Sequence, residues 1–553
     1  MKPILRTMGS LLLCLMLLVS ASGGALAAVE YVPSTEKGLT PYDEEVTITT
    51  WRIMSSGFQF ADGESIDDNV WYRAYKDRLN INVKNVWSAT NTGTGSAADQ
   101  KRSVAIASGE LPDIMELTAV QFAQLAKAGM LADLTDLYDE YVSEDVKNRC
   151  YNQDLTDAIL STTIDGRSYG IAYTNPVEQT FQQCWIRTDW LKNLGLEEPK
   201  TYEELLAVAK AFVEKDPDGD GANDTFGIAM NKELFDTNFA DMDGFMQQFH
   251  AYPNVWVRDK DNNMVFGNVQ PEMKTALAEM QRLMKEGLLD KEFGVKAVSD
   301  TVADVAAGRC GIVYGVWWIS QAGWLQESIN NDPNADWKSF RLFQTDDKPV
   351  VYYGATPVSS QLYYAVSKDC AHPEAIFKLA NAYVDWRFGA QNGDPDTFYY
   401  HEGIDTSQYA VIKVMPVRKN IDIIAGLKKY AESNDLNDVN TEGKTYLEQI
   451  KKFRDGDRKF WYRERSFGEF ASQDINTEIL SNNEYMRYQY YGTPTQAQTK
   501  YSEILKQLAQ ETFTAIINGQ DVNTFDDFVA SWYAMGGQKW TDEVRAWDAA
   551  QPK

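Results

Sequence analysis

IRTDWLKNLGLEEPKTYEELLAVAKAFVEKDPDGDGANDTFG, residues 186–227, is the stretch whose reading decides the fold. An apolar run enters it, and a helix beginning near Asp189 stops at Gly195, where a left-handed cap suits glycine. Thr201 opens a second helix, and Glu204 three residues later completes a capping box. Leu205, Leu206, Ala209, Phe212 and Val213 share one face of that helix, which therefore lies on a core. An oxygen-rich loop follows. Calcium takes about six to eight oxygens, and alternate carboxylates in a tight loop converge on one centre. Asp216, Asp218 and Asp220 occupy the first, third and fifth places, Gly221 the turn, Ala222 the carbonyl place and Asp224 the ninth. Gly227 stands where a bidentate glutamate belongs, so the loop is an incomplete EF-hand. The pattern predicts a structural calcium ion, since protein oxygens would leave substrate little room.

Working outward, Val46 to Thr49 alternates like a strand ending at Trp51, a helix spans about 68–79, and Ile81 and Val83 resume the alternation. Residues 111–115 make another short strand after a helix-like stretch that breaks at Gly109. Strand–helix–strand order implies an α/β protein with a parallel sheet and right-handed crossovers. Ligands bind beyond the carboxyl ends of such strands, which makes Trp51, Trp87, Glu116 and Thr118 candidates. Asp165-Gly166 reads as a tight turn between strands, and 308–318 as a strand ending in Trp317 and Trp318. Residues 388–470 read as polar and irregular, and the last hundred residues as helical.

With 553 residues the chain exceeds one core, so two domains or lobes are expected. Lys2 and Arg6, an apolar centre at 11–19 and Ala25-Leu26-Ala27 form a signal peptide over residues 1–27. Its removal takes two positive charges from a net −27, leaving −29. Such acidity argues against nucleic acid and anionic membranes as partners. The mature protein is expected to be exported, in the periplasm or at the cell surface. Leu11-Leu12-Leu13 before Cys14 lacks the small residue that lipoprotein processing favours. Cys150, Cys184, Cys310 and Cys370 are too widely spaced for a zinc motif, and free buried thiols are expected.

The sequence carries no sign of catalysis. Only His250, His372 and His401 could serve as imidazoles, and neither HExxH, a phosphate loop nor a GxGxxG motif is present. Paired carboxylates of a glycosidase would leave no local signature. Aromatic rings offer the other chemistry: Trp and Tyr stack on the C–H face of a sugar while polar side chains bond its hydroxyl rim. Trp317, Trp318, Tyr173 and Trp51 lie at strand ends or turns suited to this, whereas Trp386 and Trp532 have the helical spacing of core residues.

The 186–221 stretch resembles the large extracellular solute-binding proteins (family 1) of ABC importers for oligosaccharides, in their LplA-like branch. The resemblance continues in SGELPDI (108–114), LAKAGMLADLTDL (125–137), DGRSYGIAY (165–173), AAGRCGIVYGVWW (306–318), HPEAIFKLANAYVD (372–385), ETFTAIINGQ (511–520) and FDDFVASWYAMGG (525–537). It implies a two-lobed periplasmic-binding-protein fold of class II, like maltose-binding protein, with a hinge and an interlobe cleft. By order, lobe one would be 28–172 with 345–440, and lobe two 173–344 with 441–553. Trp317 and Trp318 match the block that stacks sugar in similar proteins. Glu116, Thr118 and Gln121 match the contact loop of the opposite lobe. The family's calcium loop falls on Asp216, Asp218, Asp220, Ala222 and Asp224, with Thr225 where some relatives have a glutamate. The implied partners are an oligosaccharide and the permease subunits of an ABC transporter, for a monomeric binding protein that is no enzyme. The rivals are an exported glycoside hydrolase or lyase, and a binder of peptides.

Overall fold

Two sheets organise the chain, and each gathers its own apolar core. The computed structural model describes residues 30–551 except 56–57, 92–95, 152–157, 160, 223, 322–323, 355–357, 402–403 and 493. The expected signal peptide and Cys14 lie outside the described residues. Nine strands build the sheets: β1 (Val46–Ser55), β2 (Ile81–Asn91), β3 (Ile114–Thr118), β4 (Gly170–Thr174), β5 (Gln182–Arg187), β6 (Phe226–Ile228), β7 (Cys310–Val316), β8 (Trp337–Phe340) and β9 (Val358–Val366).

The first sheet has the order β2-β1-β3-β9-β4 and the second β8-β5-β7-β6. β1 runs parallel to β2 and β3, as strand–helix–strand order predicts. β9 returns from far along the chain and enters antiparallel between β3 and β4, so the sheet is mixed rather than all parallel. In the second sheet β5 and β7 are buried at every position, the mark of strands covered on both faces.

Core one joins residues from β1 to β4 with β9, the Ala375–Phe388 helix and the segment up to Val414. Trp71, Trp386 and Phe398 pack at its centre, with Trp71 and Trp386 stacked 6.0 Å apart. Core two is built on β5 and β7, the Tyr202–Glu214 and Pro271–Glu286 helices, and the C-terminal helices Gln496–Ile517, Thr524–Trp532 and Gln538–Ala549. The expected capping box forms: Thr201 Oγ1 accepts from Glu204 N at 3.2 Å and Glu204 Oε2 from Thr201 N at 3.2 Å. Gly195 caps the preceding helix at φ 65°.

Past Val414 the chain leaves core one for a separate apolar cluster. Ile423, Ile424 and Leu427, on the Lys419–Ser433 helix, pack with Trp317, Tyr446 and Phe467. The span 388–470 is not irregular: it contains that helix together with Thr441–Arg454 and Trp461–Phe467. Their charged outer faces hide a narrow apolar stripe.

Trp386, fully buried, tests the first core. Trp386→Ala should cost about 3–5 kcal/mol in the unfolding transition of that core, read from urea titrations. A loss under about 1 kcal/mol would place the ring outside the packed centre.

Candidate functional site

Three passes of chain connect the two cores, and side chains tie them side by side. The first runs from Thr174 to Gln182, the second through Tyr353 into β9, and the third through Met415 to Asn420. Thr174 Oγ1 donates to Met415 O at 2.9 Å and accepts from Met415 N at 3.0 Å. Asn420 Nδ2 donates to Glu178 Oε1 at 3.4 Å, and Thr180 Oγ1 to Tyr353 O at 3.4 Å. Glu178, in the 3-10 turn Val177–Thr180, is completely buried, with Oε2 lacking a partner. Burial pushes its carboxyl up to about 7, against smaller opposing pulls from Asn420, Lys419 and Arg418.

The residues expected at the ligand fall in three settings. Tyr173 and Glu116 come together: both are half-buried, both interact electrostatically, and the ammonium of Lys413 lies 5.9 Å from the Tyr173 ring. Burial holds Lys413 below the usual lysine range, opposed by Glu116. Trp318, also half-buried, sits on the first pass, its Nε1 donating to Gln179 O at 3.3 Å, and meets Trp324 edge to face at 6.0 Å.

The second setting is the interior. Trp51 is 1 % exposed, because β1 continues to Ser55 and leaves the indole in mid-strand rather than at a strand end. It stacks on Trp87 at 5.1 Å and donates from Nε1 to Glu116 O at 3.2 Å. Trp87 in turn opens on a surface groove with Lys101, Val104 and Leu111. Trp317 is 4 % exposed and packs edge to face on Phe467 at 5.8 Å. In the third setting the backbone takes the side chains: Thr118 and Gln121 form a reciprocal capping box of the Ala119–Lys127 helix.

A seam of charge that the sequence did not single out runs between the cores. Arg387, in core one, lies 3.9 Å from the Tyr399 ring and feels Glu442 and Asp405. Glu442 accepts from Lys419 Nζ at 2.8 Å and from Tyr446 Oη at 2.5 Å, while Arg463 stacks 3.5 Å over Tyr446. A second unforeseen feature is a cavity walled by Asp236, Asp241, Asp243, Gln182, Tyr252 and Tyr353, against the first and second passes. The alternation of Asp and Asn in FDTNFADMD (235–243) was its only sequence signal.

In the oxygen-rich loop the carboxylates of Asp216, Asp218 and Asp220 bring ligand atoms within 4.8 Å of one another. Asp216 accepts from Gly219 N and Gly221 N at 3.0 and 3.1 Å, over glycines at φ 73° and 81°. Partial burial, then Asp216 and Asp220, raise the Asp218 carboxyl, so the charges are held together against their repulsion. This donor set fits a hard cation such as calcium. Cys150, Cys184, Cys310 and Cys370 are all free thiols.

The model of the family "Bacterial extracellular solute-binding protein" matches residues 59–393. Among curated proteins, the chain is 28% identical over 338 residues to the polygalacturonan/rhamnogalacturonan-binding protein YtcQ of Bacillus subtilis, covering 59% of this chain and 60% of that one. It is 28% identical over 211 residues to the fructooligosaccharide ABC transporter substrate-binding protein FusA of Streptococcus pneumoniae, covering 35% of this chain and 37% of that one. In both cases the match spans less than two thirds of the relative's length. Among solved structures, the alginate-binding protein AlgQ2 without calcium ion superposes with a TM-score of 0.58 at 16% identity, over 92% of this chain and 99% of that one. An HMO-binding, ABC-transporter-associated solute-binding protein from Bifidobacterium longum infantis gives 0.59 at 14% identity, over 92% and 98%. These likenesses establish the two-lobed α/β fold of periplasmic binding proteins, with a hinge and an interlobe cleft.

Glu178 makes the hinge pH-sensitive. Its folded carboxyl lies above the ordinary value, so its contribution is complete below about pH 4.5 and is lost as pH rises towards about 7. Stability should fall across that window by about 1.4 kcal/mol per pH unit from this group. Glu178→Gln should remove that component, as measured by denaturant unfolding at stepped pH. An unchanged slope would show that the carboxyl ionises normally.

Proposed function

We propose that this chain, which belongs to the bacterial extracellular solute-binding protein family, is the extracytoplasmic binding component of an ABC importer. It captures an oligosaccharide between its lobes and delivers it to permease subunits in the membrane. The observation that carries this reading is the hinge: three short chain passes, laterally tied, between two separately packed cores. Such a joint permits closure over a ligand. The glycans named for YtcQ and FusA support a carbohydrate ligand. On this reading the protein binds and releases its solute without chemical change. Among the described residues no helix is long and apolar enough to cross a membrane.

The lobes are taken as 30–174 with 358–415, and 182–354 with 419–551. Glu116, Tyr173 and Lys413 form one wall of the cleft, and Trp318 stands at the hinge end of the other. Rings that are half-exposed before closure give up water and stack on sugar C–H faces, while the charged neighbours bond hydroxyls. Trp51 and Trp317 support these walls from behind.

The same reading assigns calcium to Asp216, Asp218 and Asp220, with Ala222 O and Asp224 completing the set. The ion would pin the end of the Tyr202–Glu214 helix to β6, a structural role.

In titrations with neutral and acidic oligosaccharides, one glycan class should give a saturable change in tryptophan fluorescence without product formation. Trp318→Ala should weaken that binding by about 1–3 kcal/mol; unchanged affinity would take Trp318 out of the site. Asp218→Ala with Asp220→Ala should lower the melting temperature in calcium and leave it unchanged in chelator. Equal losses in both media would defeat the calcium assignment.

A further inference from the structure

The loop from Asn231 to Asp243 has a backbone that few sequences tolerate. Leu234, Asp236, Asn238 and Ala240 adopt positive φ angles of 62°, 62°, 65° and 51°. Asn231 Nδ2 holds the loop by donating to Phe239 O and Ala240 O at 3.1 Å each. Asp241, buried, accepts from Thr237 N and Asn238 N at 2.9 and 2.8 Å, and from Asp243 N at 2.8 Å. The loop approaches β7 over Gly315, where a Cβ would stand 2.6 Å from Asn238 O. The outcome is three carboxylates, Asp236, Asp241 and Asp243, around a cavity of about 140 Å³.

Independent of those acids, Gln182 lines the same cavity at 4 % exposure, and its Oε1 has no hydrogen-bond partner. A buried, unsatisfied acceptor beside three carboxylates asks for a donor-rich, cationic guest. An anionic guest such as a uronate would meet repulsion from every acid. Asp241 and Asp243 lie within hydrogen-bonding reach of each other, but the three acids do not meet at one point: among the described residues, only Asp216, Asp218 and Asp220 bring three acids within 4.8 Å. That spacing suits a group with several spread hydrogens better than a bare metal ion. Burial and then the neighbouring Asp241 and Asp236 hold the Asp243 carboxyl well above its ordinary range, a repulsion that a bound cation relieves. An ammonium offers three donors and no acceptor, matching the wall. Tyr252 and Tyr353 supply flat sides for a sugar ring.

We propose that this cavity is a subsite for the protonated amino group of an amino-sugar unit, held by Asp236, Asp243 and the Oε1 of Gln182. The proposal rests on the oligosaccharide-binding reading and narrows it to glycans carrying a free amine. The cavity's place beside Thr180 and Tyr353, on two of the hinge passes, would let the ammonium engage as the lobes close.

The test is calorimetric titration of the full-length mature protein with glucosamine and its linear oligomers, with the N-acetylated counterparts, and with neutral and uronic-acid oligosaccharides. Wild type should prefer the free-amine sugar over its N-acetylated form by roughly tenfold or more. Asp236→Asn with Asp243→Asn should abolish that preference while leaving N-acetylated and neutral sugars unchanged; asparagine retains an acceptor for the loop's own bonds. If that double variant melts early, Gln182→Met takes its place, with a loss of preference again expected. Equal affinity for amine and N-acetyl forms in wild type overturns the proposal, as does a preference that survives the variants. Should neutral or acidic glycans bind wild type and variant alike while the free-amine sugars show no advantage over their N-acetylated forms, the oligosaccharide reading stands and the amine subsite falls. Should the amine sugars bind at this cavity and every other glycan fail, the subsite stands and the broader reading shrinks to amino sugars.

Discussion

The molecule depends on the patch where three passes of chain lie against one another. Thr174 shares its hydroxyl with both the N–H and the C=O of Met415, which fixes the first pass to the third without any regular secondary structure. Glu178 with Asn420 and Thr180 with Tyr353 extend the tie across the remaining passes through single bonds at 3.4 Å. A buried carboxyl with one oxygen unsatisfied is an expensive thing to keep at such a place. Its neutral form is the one that burial favours, so the joint is strongest where no charge has to be hidden.

What lies between the lobes follows from that joint. If the cores were joined by apolar surface, opening would expose it to water and the closed state would be permanent. Instead the seam is charged: Arg387 faces Glu442, Glu442 holds Lys419, and Arg463 stacks on Tyr446. Arg387, Glu442 and Arg463 are only 1 %, 3 % and 7 % exposed, so parting these pairs is costly until water reaches and solvates the charges, a relief that apolar surface would not have. The apolar mass is kept behind the walls, where Trp386 and Trp71 close core one and Trp532 and Phe266 stack at 5.5 Å in core two.

Local chemistry was legible in the sequence and long-range chemistry was not. The Thr201–Glu204 capping box, the Gly195 cap and the oxygen-rich loop each have their cause within a few residues, and each stands where its residues placed it. Trp51 was misplaced because the alternation of Val46 to Thr49 gives no sign that β1 runs on to Ser55. Thr118 and Gln121 have the spacing of a capping box, which accounts for their side chains more directly than ligand contact does. β9 pairs with strands far from it in sequence, so no local pattern reveals that it enters antiparallel. The helix at 419–433 was masked by charged residues on its outer face. The cavity acids were invisible for a similar reason: Asn231 and Gly315, from outside the 235–243 run, impose the left-handed turns that gather them.

The chain carries two acidic clusters of nearly the same composition, and geometry separates what each can hold. In the first, a helix ends at Glu214 and residues 216–221 fold back over Gly219 and Gly221, so three carboxylates lie close together. Oxygens that close repel strongly unless a small, highly charged ion sits among them. In the second, backbone N–H groups hold Asp241 to the loop and Asn254 Nδ2 holds Asp236, so the acids are turned around an open volume instead of into a point. A guest that spreads its hydrogens over the width of a sugar ring meets several acceptors at once. The difference between a metal loop and a ligand subsite thus lies in how far the backbone lets the charges approach, not in how many there are.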